Sequence, residues 1–445
     1  MRAARLQNGL TLAALGALTG YSAAQVSRYE RGITPLADVA VLRRFAQALA
    51  IPPGELGLAA SASRTRTGRD QVAAVSGVPS RPAASRVARE AGRKDDDMRR
   101  RQLLAALGVA AAGAAGSRAA AAVPPVIPEG PRVGDLLVSK VRDAMLDLAP
   151  VPARVPAGAV RAGLDEALAD FRGSRYRRLS VSLPRLISAG HVIATRGETR
   201  DSDALLAGIY TLATRMLIKL DDQQLGWMAA DRARVLASGG GDPLAVGEAA
   251  RNLAVLARKA GWHDQAASIA LAAASSPLLA GPGPHLAAER GLLIQSAAYT
   301  AARAGDRDTM RELTGQAASI AAGLGSQVLL RDHGGGFTPA TVELHRISAE
   351  NYAGDPGAAV AAALRIVPAS LPTTERRARY WTDTARAYAN WGRRDECVSA
   401  LLAAEREALE ETHARPAVRD LLSGLLVTGR TGPELLGLAA RCGIT

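Results

Sequence analysis

GYSAAQVSRYERG, residues 20–32, reads as a short helix held between two glycines. Ser22 stands where an N-cap belongs, AAQVSRYER follows, and Gly32 ends the run. Just upstream, Thr11 caps LAALGALT, which stops at Gly20. Two helices of about two turns each, joined by a Gly-Tyr-Ser corner, are the geometry that presents a helix end to a nucleic-acid groove. Working outward, the pattern predicts a helix over residues 2–8 closed by Gly9 and a longer one over LADVAVLRRFAQAL, opened by Thr34-Pro35. A last turn, PGELGL, begins at Pro52-Pro53, so five short helices fill residues 1–60.

On the third of these helices Val26 and Tyr29, at i and i+3, fall on the inward side. Ala23, Ala24, Gln25 and Arg28 fall outward. Small alanines let the backbone approach bases and touch a thymine methyl, Gln25 suits adenine, and Arg28 suits guanine. Ser22, Ser27 and Arg31 suit phosphate contacts, as does the helix amino terminus itself.

The charge distribution agrees. The 445 residues carry a net +13, but residues 1–101 hold 17 basic against 8 acidic side chains, and the remaining 344 hold 38 against 34. A basic head on a nearly balanced body points to a polyanion partner for the head. Aromatics are only 3%, alanine and leucine dominate, and strand-type alternation is hard to find. That composition predicts an all-α chain whose helices pack through small side chains. Cys397 and Cys442 fit no CxxC or Cys/His spacing, so neither a disulfide framework nor a metal site is expected, and both are read as small core residues in a reducing compartment.

The stretch TLAALGALTGYSAAQVSRYERGITPLADVAVLRRFAQALAI resembles the XRE-type, lambda-repressor-like helix-turn-helix domain. The frame is carried by Thr11, Gly20, Val26-Ser27, Glu30, Gly32, Leu42, Ala46 and Leu49. The resemblance implies sequence-specific binding of double-stranded DNA through the helix around residues 23–28, with Glu30 tying that helix to its neighbours. Leu12 departs from the family, where a phosphate-gripping glutamine often follows the cap, and the first helix is short.

Residues 61–125 separate this head from the rest. From Ser61 to Asp97 the composition is Ser, Arg, Ala, Gly and Pro without periodicity, which predicts a flexible tether. The following DDDMRRRQLLAALGVAAAGAAGSRAAAA has the form of a twin-arginine export signal, with Arg100-Arg101 before an apolar run. That run is too short to span a membrane and begins a hundred residues in, so an alanine-rich helix packed on the body is the favoured reading over export from Met98.

Across residues 126–445 helix pairs recur, with turns near Asp221, Gly261, Gly305, Gly354 and Gly392. The pattern resembles the tetratricopeptide repeat (TPR), with matches at Leu256, Gly261 and Ala266 and again at Tyr388, Gly392 and Val398. The resemblance implies a TPR-like α-solenoid with a concave groove. His333–Gly336, HGGG, has no GxSxG elbow to serve, and SGGGDP at residues 238–243 reads as an inter-helix turn. No catalytic constellation, cofactor motif or paired histidine spacing stands out, so an enzyme is not expected. Trp227, Trp262, Trp381 and Trp391 are read as core or turn-packing residues.

Taken together the chain resembles the actinobacterial XRE-type regulators with tetratricopeptide bodies. That likeness implies a cytoplasmic transcriptional regulator, a homodimer on a palindromic operator, and a body that binds a small molecule, peptide or protein or mediates self-association. A protein–protein scaffold with vestigial DNA binding is the alternative.

Overall fold

The computed structural model describes residues 1–30, 39–52, 132–149, 155–195, 199–429 and 431–444. The expected fifth head helix, the Thr34-Pro35 cap, Gly32 and the whole stretch 61–125 lie outside them. The chain is all-α: among the described residues the nearest approach to a sheet is a single antiparallel bridge, Leu329 to Phe337.

The head comprises α1 (Arg2–Gln7), α2 (Leu12–Thr19), α3 (Ala23–Glu30) and α4 (Val39–Ala48). Thr11 caps α2 as expected, its hydroxyl accepting from the Ala14 N–H at 3.0 Å. Gly20 ends α2 at φ 74°, a left-handed conformation that a side chain would strain. Ser22 then accepts from the Gln25 N–H at 3.2 Å. The two helices close on a core in which Leu15, Val26 and Phe45 are fully buried. Tyr21, Tyr29 and Phe45 pack ring against ring, with centroids 5.6–5.7 Å apart.

The body contains α5 (Val133–Met145), α6 (Ala157–Arg172), α7 (Tyr176–Thr195), α8 (Thr199–Leu220), α9 (Gln223–Gly240), α10 (Pro243–Lys259), α11 (His263–Ala274) and α12 (Pro284–Ala304). It continues through α13 (Arg307–Leu324), α14 (Pro339–Tyr352), α15 (Pro356–Ala363), α16 (Thr374–Asn390), α17 (Arg394–Glu407), α18 (Leu409–Ala414), α19 (Pro416–Val427) and α20 (Pro433–Arg441). Five expected pairs are present: α8 with α9, α10 with α11, α12 with α13, α14 with α15, and α16 with α17. Each turn inside a pair is left-handed, at Asp221, Gly261, Gly305, Gly354 and Gly392. In three of them an aspartate follows at once and caps the next helix: Asp222, Asp306 and Asp355 accept from the N–H groups of Leu225, Thr309 and Ala358. SGGGDP is such a connection too, with Gly241 left-handed and Asp242 capping α10.

The first helices of successive pairs, α8, α10, α12, α14 and α16, also contact one another in order, so the pairs stack as a solenoid. Alanine makes the close crossings possible: Ala229, Ala233, Ala254, Ala266, Ala297 and Ala317 are all buried. Gly291 on α12 leaves room for a ring from the loop before α14, because a Cβ there would lie 2.6 and 2.7 Å from the Cε1 and Cε2 of Phe337. Trp262 is 55% exposed and packs on Trp227 with centroids 5.5 Å apart, whereas Trp381 and Trp391 pack against the buried clusters around α16.

Both cysteines are buried, and burial pushes each thiol up to about 12. The thiolate is the reactive form, so the native protein should resist alkylation at mildly alkaline pH and react only once unfolded. Labelling of native chain at the unfolded rate would contradict this core. No helix among the described residues is long and apolar enough to cross a membrane.

Candidate nucleic-acid interface

The α2–α3 corner is held from behind by a buried ion pair. Arg5 on α1 donates from Nε and Nη2 to the two oxygens of Glu30 at 2.7 and 3.0 Å, and from Nη1 to the Leu10 carbonyl at 2.8 Å. This fork fixes the C-terminal end of α3 against α1, the tying role expected of Glu30. Hydrogen bonding to the Glu30 carboxylate raises the Arg5 pKa, so the guanidinium stays charged.

The other end of α3 is open. Ser22 and Ala23 are exposed, Ser27 is half-buried, and Val26 is fully buried, as the inward assignment required. Ala24 and Arg28 fall within α3, but their side chains lie outside what is described, and so does Arg31 altogether. Gln25 corrects the expectation. The sequence pattern places it outward, toward adenine, yet it is only 1% exposed. The physical reason is its register: Gln25 lies four residues before Tyr29, so the two share a face beside Val26. The buried arc of α3 is therefore wider than Val26 and Tyr29 alone defined.

Tyr29 also leads away from the head. Its hydroxyl donates to the carbonyl of Gly354 at 3.0 Å, in the turn between α14 and α15. Arg44 on α4 donates to the Gly305 carbonyl, in the turn before α13. Arg307, 1% exposed at the start of α13, covers the Tyr21 ring with its guanidinium carbon 4.9 Å from the centroid. It is itself paired with Asp355 and with Glu350, the latter at 3.4 Å. Head and body thus form one compact unit with an aromatic and charged seat between them. Ser22 and Ala23 stay uncovered in that seat.

The inner face of the solenoid holds a second feature. A cavity of about 600 Å³ is walled by α8, α10, α12, α14, α16 and α19. Arg251, Arg258, Arg376, Arg379, Arg386 and Arg415 contribute guanidinium groups. On α16 the cavity residues Arg376, Arg379, Asp383 and Arg386 repeat at three and four, which is one helix face. Lys219 is 2.5 Å from Glu375 and 2.9 Å from Glu411, and burial pushes the lysine down to about 7 and Glu411 up to about 7. Burial and the surrounding arginines hold His345 well below the usual histidine range. The HGGG segment closes one side: Gly335, at φ 82°, passes so near Arg376 that a Cβ would lie 2.6 Å from Nη2. Beside it Glu248, Glu289 and His333 bring possible ligand atoms within 4.8 Å of one another. Arg251 already engages both oxygens of Glu248, at 2.6 and 2.9 Å, and its charge opposes a metal cation there. Sequence spacing could not reveal this cluster, since its members come from α10, α12 and a loop.

Residues 1–59 match the family model of a helix-turn-helix domain. No curated protein matches the chain. The N-terminal head is thus the kind of domain that DNA-binding regulators carry, attached to an all-helical body.

Proposed function

We propose that this protein is a sequence-specific transcriptional regulator of the XRE type, whose TPR-like body senses a ligand and passes its state to the head. The observation that carries the reading is the exposed Ser22–Ala23 start of α3, on a corner that the Arg5–Glu30 fork makes rigid. Ser22, the N–H groups of the first turn of α3 and Arg31 take phosphates, while Ala23, Ala24 and Arg28 read base edges. Gln25 drops out of the reading set as a buried residue. One short helix reads only a few bases, so a homodimer on a palindromic operator supplies the remaining affinity. The head–body seat supports the sensing part of the proposal. Helix α14 offers His345 and Tyr352 to the cavity and ends at the turn where Tyr29 is bound.

Selection of bound fragments from genomic DNA by the full chain tests the proposal. A shared, two-fold symmetric motif is the expected product. Recovery of fragments with no common motif means that the head does not read sequence.

A further inference from the structure

The cavity on the inner face carries more positive charge than its own carboxylates neutralise. Glu248 takes Arg251, Glu375 takes Lys219, and Asp383 takes Arg379. Arg215, Arg258, Arg303 and Arg386 line the same space, and among the described residues none of the four forms an ion pair. Arg258 is 8% exposed and has only neutral oxygens for company: the Ser296 carbonyl and hydroxyl at 3.2 and 3.4 Å and the Thr300 hydroxyl at 3.3 Å. Its guanidinium carbon lies 4.4 Å from the centroid of the Tyr299 ring. Arg386 donates to the Tyr352 hydroxyl at 2.7 Å, and Arg303 covers that ring at 4.6 Å. Arg215 is held by the Asp332 carbonyl and the face of Phe171.

Of the four, Arg215 and Arg258 are buried, Arg386 is half-buried and Arg303 is exposed. Buried cations without counter-charges destabilise a fold, and neutral oxygens and rings offset only part of that cost. Burial brings the Arg258 pKa down to about 10, the same penalty seen in its protonation. A chain selected for stability alone would place apolar residues there. A second observation is independent of charge. Two buried polar atoms on the cavity wall lack hydrogen-bond partners, the donor Asn252 Nδ2 and the acceptor Gln295 Oε1.

We infer that this cavity binds a small organic polyanion, a molecule bearing more than one phosphate or carboxylate group together with a hydroxyl or amine. Guanidinium forks match the oxygens of phosphate and carboxylate. The donor would satisfy Gln295, and a cavity of about 600 Å³ lies within the range of small-molecule clefts. The inference rests on the reading of the body as a sensor and names the chemistry that it senses.

Titration calorimetry on the full chain tests it, with adenosine diphosphate, fructose 1,6-bisphosphate and citrate as probes and adenosine as the neutral control. Wild type and Arg258→Gln are compared, each also melted without ligand. Residues 1–125 are identical in the two, so phosphate attraction to their arginines cancels. At least one anion is expected to bind wild type, and Arg258→Gln to weaken it by about 10-fold or more, as loss of a charge-assisted hydrogen bond implies. Without ligand the variant should melt higher than wild type, because an uncompensated cation has been removed. Arg386→Gln, at the far end of α16, provides the same comparison of ligand binding if Arg258→Gln does not fold. Phosphate-only binding, or binding of citrate as well, tells the two anion sources apart. The inference is overturned if none of the three anions binds, if adenosine binds as well as they do, or if both variants bind like wild type. None of these readouts involves DNA, so failure here leaves the function of the head standing, and failure of DNA binding leaves the cavity result standing.

Discussion

Ala23→Glu is expected to abolish DNA binding by the full chain while leaving its melting temperature unchanged or slightly raised. Ala23 is the first residue of α3, exposed beside exposed Ser22 on the open end of the corner. A carboxylate there enters the space that phosphates and base edges occupy in the complex. Like charges brought together at an interface cost several kcal/mol, so affinity should fall by about 100-fold or more. The same carboxylate suits the free protein, since an acidic side chain in the first turn of a helix gains about 0.3–1 kcal/mol from the N-terminal dipole. Stability and binding therefore move in opposite directions, which a misfolded variant cannot imitate. Anisotropy of a labelled operator duplex, paired with a thermal melt, reads both. Unchanged affinity would remove α3 from the interface.

The second large effect lies in the body. Phe337 is 1% exposed and its ring lies against Gly291, where α12 has no side chain. Phe337→Ala should cost about 3–5 kcal/mol in chemical unfolding, from lost burial and the cavity left behind. Gly291→Ala alone drives a methyl group into the ring, and overpacking of that kind costs about 1–3 kcal/mol. Combined with Phe337→Ala, the same substitution meets open space, and alanine is favoured over glycine in a helix interior by about 1 kcal/mol. The sign of Gly291→Ala should therefore reverse between the two backgrounds. Additive behaviour in this cycle would show that the ring does not sit on Gly291.

The parts of this structure that were legible in the sequence are those governed by local rules. Thr11, Gly20 and Ser22 act within one turn of chain, and each does what its residue type dictates. Five helix pairs were readable because Gly or Asp in a left-handed turn marks each reversal. Helices α5 to α7 and α18 to α20 were not delimited. The left-handed turns after α5 and α6 fall on Asp147 and Ser174 and not on a glycine, so they give little signal in the sequence, and α7 runs through Pro184 without stopping. Gln25 was misplaced because a helical wheel drawn on two anchors underestimates how much of a short helix its neighbours cover. The cavity was illegible for a different reason. Arg258 on α10, Arg379 on α16 and Arg415 between α18 and α19 meet only after the repeats stack. Their local signal, arginines seven residues apart at Arg251 and Arg258 on α10 and at Arg379 and Arg386 on α16, looks like a solvated face until the concave side is known.

The central claim is that α3 reads base sequence, and its most direct test is a ratio of affinities. Full-length protein is titrated onto a duplex carrying the selected motif and onto a scrambled duplex of the same composition, across a range of salt. The account predicts tighter binding to the motif by about 1,000-fold or more at physiological salt, with both affinities falling as salt rises. Equal affinity for the two duplexes at every salt concentration would contradict it, leaving a head that meets only the phosphate backbone.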